Sequence, residues 1–108
     1  METPDKWIVV KITNNDGDIL YKVFASWYGG YLGQDSWRIN SGIKVIEDCK
    51  THYNFIGYSG SCYQCIKGTY GCNMYTKGVL NNILKMAEKA NVIIEVLPED
   101  TDWLNLLK

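Results

Sequence analysis

Hydrophobic and polar positions alternate along the first part of the chain in a way that predicts a hairpin. "KWIVVKIT" (residues 6–13) is β-branched and apolar with lysines at its edges, and "ILYKVFASW" (residues 19–27) follows in the same style. Between them "NNDGD" supplies Asn, Asp and Gly, the residues that tolerate the left-handed backbone of a tight turn. Ile8, Val10 and Ile12 share one face of the first strand. Both faces of the second, through Leu20 and Phe24 on one side and Ile19, Tyr21 and Val23 on the other, are apolar enough to be partly covered.

From Trp27 to Trp37 the pattern breaks. "YGGYLGQDS" (residues 28–36) is rich in glycine and aromatic residues and reads as a loop, and "WRINSG" and "IKVIED" then offer two short strands around Ser41-Gly42. "YNFIGYSGSCYQCIKG" (residues 53–68) reads as a second hairpin turning at Ser59-Gly60. The period changes to 3.6 over residues 76–90, where Val79, Leu80, Ile83, Leu84, Ala87 and Ala90 recur on one face and Asn81, Asn82, Lys85 and Glu88 on the other. Thr76 is the predicted N-cap, Tyr75 a staple against Leu80, and Asn91 the left-handed residue that ends the helix. "VIIEVL" follows as a strand stopped by Pro98, and "DTDWLNLL" as a short helix.

A helix with one apolar face needs a sheet face to cover. The expectation is therefore a two-layer α+β domain spanning residues 1–108, with five to seven mostly antiparallel strands, one main amphipathic helix and a short C-terminal helix. The 108 residues, 46% hydrophobic and 21% charged, suit one ordinary globular unit. Candidate core residues by strand position are Trp7, Phe24, Trp37 and Phe55.

Charge narrows the function classes. The formal net charge is -1, Arg38 is the sole arginine among eleven basic residues, and no stretch concentrates them. This argues against a dedicated binder of nucleic-acid backbones. The longest apolar run, "VIIEVL", is broken by Glu95 and is far short of the ~20 residues that cross a bilayer, so no membrane partner is expected. "METPDK" is polar and acidic rather than a basic segment followed by an apolar one, which makes the cytoplasm, with reduced thiols, the expected location.

The densest chemistry lies in "CKTHYNFIGYSGSCYQC", where Cys49, His52, Cys62 and Cys65 have the residue types and short-pair spacings of a zinc site. A zinc-stabilised adaptor is one reading. Hairpin geometry opposes it: a two-residue turn at Ser59-Gly60 sets Gly57 opposite Cys62 and Asn54 opposite Cys65, and leaves Cys49 roughly 16 Å along the strand at about 3.3 Å per residue. Cys62 and Cys65, three apart on a strand, also face opposite ways. The same Cys-x-x-Cys lacks the helix start that a dithiol oxidoreductase needs. His52, the one histidine, is the only imidazole base for a cysteine nucleophile. "GYSGS" ends in Ser61 where a nucleophile elbow needs glycine. No catalytic set, cofactor or metal is assigned.

The aromatic residues remain. Four Trp, eight Tyr and two Phe are many for this length, and a share of them sits in glycine turns, where Tyr and Trp give large contact area at small entropic cost. The expected function is non-catalytic binding of a protein partner through Trp27, Tyr28, Tyr31, Trp37 and Arg38 in the first loop, with Tyr58 and Tyr63 of the hairpin. A small nucleotide, its base stacked on Tyr or Trp and its phosphate held by Arg38, is the alternative. Depth separates the two. In "TDWLNLLK", Trp103, Leu104 and Leu107 form an apolar patch that needs a cover, either the chain's own sheet or, as the favoured reading, a second copy in a homodimer.

"SGIKVIED", "YNFIGYSGSCYQC" and "YGCNMY", with the closing "VLPEDTDWL", are similar to small uncharacterised proteins of phage or prophage type. The resemblance spans the last two-thirds of the chain. It implies host-directed binding and brings no named activity and no functional residues.

Overall fold

The computed structural model describes residues 1–29 and 33–108. Among these residues seven strands and one α-helix follow in the order β1 Lys6–Thr13, β2 Ile19–Trp27, β3 Ser36–Ile39, β4 Ile43–Asp48, β5 His52–Gly57, β6 Cys62–Ile66, α1 Met74–Lys89 and β7 Ile93–Val96, with a 3-10 turn at Trp103–Asn105. The α+β class, the antiparallel pairing of the strands, the main helix and the helical C-terminal turn are those expected.

The strands divide into two sheets, β3-β2-β1-β7 and β4-β5-β6. The reason lies in β1, where "WIVV" offers apolar side chains to both faces. Ile8 and Val10, with Phe24 of β2, pack under Leu80, Val79, Ile83 and Leu84 of the helix. Trp7 and Val9, with Val23 and Ala25, face Ile43, Phe55, Tyr63 and Cys65 of the second sheet. Helix, four-stranded sheet and three-stranded sheet are thus successive layers, with β1 and β2 between two cores.

Both predicted hairpins form, and both use a three-residue loop. Asn14 N–H donates to Asp18 O and Gly57 N–H to Ser61 O, each at 2.8 Å, and the third loop residue, Gly17 or Gly60, donates back to Asn14 O or Gly57 O. Gly60 holds a φ of +89° that a side-chain-bearing residue adopts only with strain. This third residue shifts the predicted register by one: Cys62 lies opposite Ile56 and Cys65 opposite Tyr53.

Between β3 and β4 the chain changes sheets. Asn40 N–H donates to Val23 O (3.1 Å) and Asn40 Oδ1 accepts from Val23 N–H (2.9 Å), so its side chain replaces a ladder carbonyl. Gly42 turns the corner at a φ of +127°, and a Cβ there would lie 2.8 Å from Leu20 Cδ1.

The helix starts earlier than Thr76. Asn73 is the N-cap: its Oδ1 accepts from Thr76 N–H (2.8 Å) while Thr76 Oγ1 accepts from Asn73 N–H (3.0 Å), a reciprocal capping box. Thr76 therefore sits one turn inside, and Tyr75 is an exposed first-turn residue rather than a staple. Asn91, at a φ of 58°, ends the helix as predicted. No helix among the described residues is long and apolar enough to cross a membrane.

One aromatic position differs from expectation: Trp37 is 36% exposed rather than buried. Of the two covers expected for the C-terminal patch, its own sheet or a second copy, Trp103 takes the first and is 2% exposed. Trp103 fills the space between the sheets against Trp7 and Phe55, with ring centroids 5.8 and 5.9 Å away.

Candidate functional site

Pairing with β2 fixes where the aromatic candidates point. Phe24 is opposite Ile39 and Ser26 opposite Trp37, while Ala25 is opposite Arg38 and Trp27 opposite Ser36. Phe24 belongs to the helix-side core and Ala25 to the core between the sheets. Trp37 and Ile39 therefore lie on the helix side, and Ser36 and Arg38 on the other. All four residues of β3 are exposed.

Arg38 is held lightly. Glu2 joins β6 through Glu2 N–H to Cys62 O (2.9 Å) and Gln64 N–H to Glu2 O (2.7 Å), which brings its carboxylate to 3.4 Å from Arg38 Nη1. The two side chains are 65% and 46% exposed, so this pair contributes little to stability. With Trp27 and Ser36 they line a recess of about 210 Å³. Trp27 is half-buried, its Nε1–H donating to Thr3 O at 3.0 Å. Its ring packs near Tyr63, which at 4% exposure is a core residue rather than a contact residue.

Tyr28, next to Trp27 in the chain, is exposed, its N–H donating to Asp5 Oδ2 at 2.7 Å. Tyr31, with Gly30 and Leu32, lies outside the described residues. Tyr58 is 63% exposed but stands elsewhere, against Gly42 and Leu20. Leu20 is seven residues from Trp27 on β2, about 23 Å of strand. The predicted surface is therefore two surfaces: the edge around β3, and a groove of about 420 Å³ where Tyr58 joins Ile19, Tyr21, Ile43, Leu106 and Leu107. Lys44 and Lys108 also line this groove, and among the described residues no carboxylate side chain, thiol or imidazole does.

The cysteine constellation disperses. Cys65 is fully buried between the sheets, whereas Cys62, Cys49 and His52 are only half-buried. Alternation puts Cys62 on the outer face of its sheet, so the four zinc candidates cannot meet at one ion. Among the described residues no three His, Cys, Asp or Glu converge on a metal position. All four cysteines are free thiols. Burial pushes the thiols of Cys62, Cys65 and Cys72 up, the reverse of what a nucleophile needs. His52 meets Gln64 Nε2 and Thr51 Oγ1, at 3.2 and 3.0 Å, and no thiol hydrogen-bonds it among the described residues.

The C-terminal patch is also reduced. Burial removes Trp103 from any interface with a second copy, and Leu104 and Leu107, 47% and 41% exposed, remain at the surface. Trp37 and Arg38 stand out in the sequence as residue types on a short strand, and alternation alone sends them to opposite faces; which face each takes, and that β3 is an open edge, follows from the pairing with β2. No protein-family model matches the chain, and no curated protein or solved structure matches it either.

Proposed function

We propose that this chain is a non-catalytic binding module for a protein partner, and that its contact surface is the exposed edge strand β3 with Trp37, Ile39, Arg38 and the neighbouring Tyr28. The observation that carries the reading is the exposure of all four β3 residues at the end of its sheet. Edge strands left open in this way are templates for pairing with another chain. Trp, Tyr and Arg are the residues that most often dominate interface energetics. The recess beside Arg38, at about 210 Å³, is smaller than the ~300 Å³ at the low end of small-molecule pockets, which favours a broad contact over an enclosed nucleotide. Resemblance to phage- and prophage-type proteins makes a bacterial lysate the first source of a partner.

The test compares capture from such a lysate by the wild type, Trp37→Ala, Arg38→Glu and Tyr58→Ala. The reading expects one protein retained by the wild type and by Tyr58→Ala and lost from both β3 variants. Loss with Tyr58→Ala alone would move the surface to the groove, and a nucleotide released by Arg38→Glu would favour the alternative ligand.

A further inference from the structure

The chemistry of the partner segment follows from the phase of β3, given the reading of that strand as a contact edge. Asn40 and Val23 form a hydrogen-bonded pair. Bonded and non-bonded pairs alternate along an antiparallel ladder, so Arg38 and Ser36 turn their N–H and C=O groups towards β2. Trp37 and Ile39 turn theirs outward. β3 ends its sheet, and among the described residues nothing pairs with that outer side.

A strand laid antiparallel along this edge bonds to Trp37 and Ile39. Its residues opposite those two point to the helix side, over the apolar surface that Trp37 and Ile39 expose at 36% each. Its residue between them lies opposite Arg38 and points to the other side, over the recess lined by Glu2, Trp27, Ser36 and Arg38. The guanidinium has five donor hydrogens, and the described contacts engage one nitrogen, Nη1, with Glu2.

A second copy of this chain fits poorly. The register that bonds both Trp37 and Ile39 to their counterparts sets Arg38 opposite Arg38, and like charges directly opposite destabilise a strand pair. An acidic residue at that position instead gains the guanidinium fork.

We propose that β3 receives an extended segment of another protein with the pattern apolar–acidic–apolar, the acidic residue opposite Arg38 and the apolar ones beside Trp37 and Ile39. Glu2 competes for the same guanidinium and tempers the affinity.

The probes are two blocked heptapeptides, Thr-Thr-Val-Glu-Val-Thr-Thr and its counterpart with Lys for Glu, titrated into the full isotope-labelled chain and followed by NMR. The Glu peptide is expected to bind about three- to tenfold more tightly than the Lys peptide, and to slow exchange of the Trp37 and Ile39 amides. Arg38→Glu, checked for an unchanged thermal midpoint, is expected to reverse the preference, and Glu2→Gln to strengthen binding of the Glu peptide. Equal binding of the two peptides with both amides protected would overturn the acidic pattern while leaving the edge as the contact surface. Protection by neither peptide, or shifts confined to the groove by Tyr58, would overturn strand addition itself.

Discussion

Trp37 lies flat on Phe24, with ring centroids 5.5 Å apart and planes 17° from parallel. The exposed indole thus shields a fully buried ring from water on the side of Phe24 towards β3. Trp37→Ala is expected to lower stability by about 1–2 kcal/mol, from the lost stack and newly wetted apolar surface, without unfolding the chain. Trp37→Phe should recover most of it. Urea denaturation of the three proteins checks this, and equal stability of all three would mean that the ring merely rests on the surface.

Trp103 anchors the C-terminal turn in the core between the sheets, against Trp7, Phe55 and Tyr70. Trp103→Ala should cost about 3–5 kcal/mol, as removal of a buried tryptophan does. Leu104→Ala, at an exposed neighbour, should change stability by less than about 0.5 kcal/mol. Comparable losses at the two sites would contradict the placement of the tail.

The elements were largely legible in the sequence, and their relations were not. Period-2 runs marked the strands, the 3.6-residue period marked α1, and Asn91 and Pro98 marked where helix and last strand stop. The division into two sheets escaped because "WIVV" says that both faces are covered without saying by what. The hairpin register slipped by one because Tyr58-Ser59-Gly60 supports a two- or a three-residue loop equally well locally. Thr76 reads as a cap by residue type, and Asn73 outranks it only because each side chain accepts from the other residue's backbone N–H. As for the candidate surface, residue types singled out Trp37 and Arg38, but separating Tyr58 from them needs the crossing at Asn40 to Gly42.

Gly42 and Gly60 both hold positive φ, and they should differ in their tolerance of a side chain. Nothing lies within 4 Å of a Cβ at Gly60, so Gly60→Ala meets only the backbone cost, about 1–2 kcal/mol. At Gly42 the added carbon meets Leu20 Cδ1 at 2.8 Å and Tyr58 Cδ2 at 3.1 Å. Gly42→Ala should therefore be the more destabilising, and it should perturb NMR signals of the Tyr58 ring. The opposite order of thermal midpoints would refute this account of the corner.

Alkaline conditions should weaken the fold. Burial raises the Cys65 thiol far above its ordinary 9.0 and the Tyr70 hydroxyl from 10.0 to about 12. Tyr70 Oη also accepts from Val9 N–H at 3.1 Å and donates to Leu97 O, linking β1 to the end of β7. Both groups stay protonated in the folded state after the unfolded chain has lost their protons. Their stabilising contribution is present below the unfolded values and declines as pH rises through 9 and 10 towards the folded ones, by up to about 1.4 kcal/mol per pH unit for the buried thiol and by less for the partly exposed hydroxyl. Cys65→Ala should start less stable at pH 7 and decline less steeply above pH 9. Parallel curves for wild type and variant would rule out the buried thiol as a cause.

The open edge of β3 is tested most directly by amide hydrogen exchange of the free protein, residue by residue along that strand. Arg38 N–H, directed towards β2, should be protected, and Trp37 and Ile39 N–H, directed outward, should exchange at nearly the rate of an unstructured chain. Protection of Trp37 and Ile39 equal to that of Arg38 in the free protein would mean that the edge is already covered, and would contradict its assignment as a docking strand.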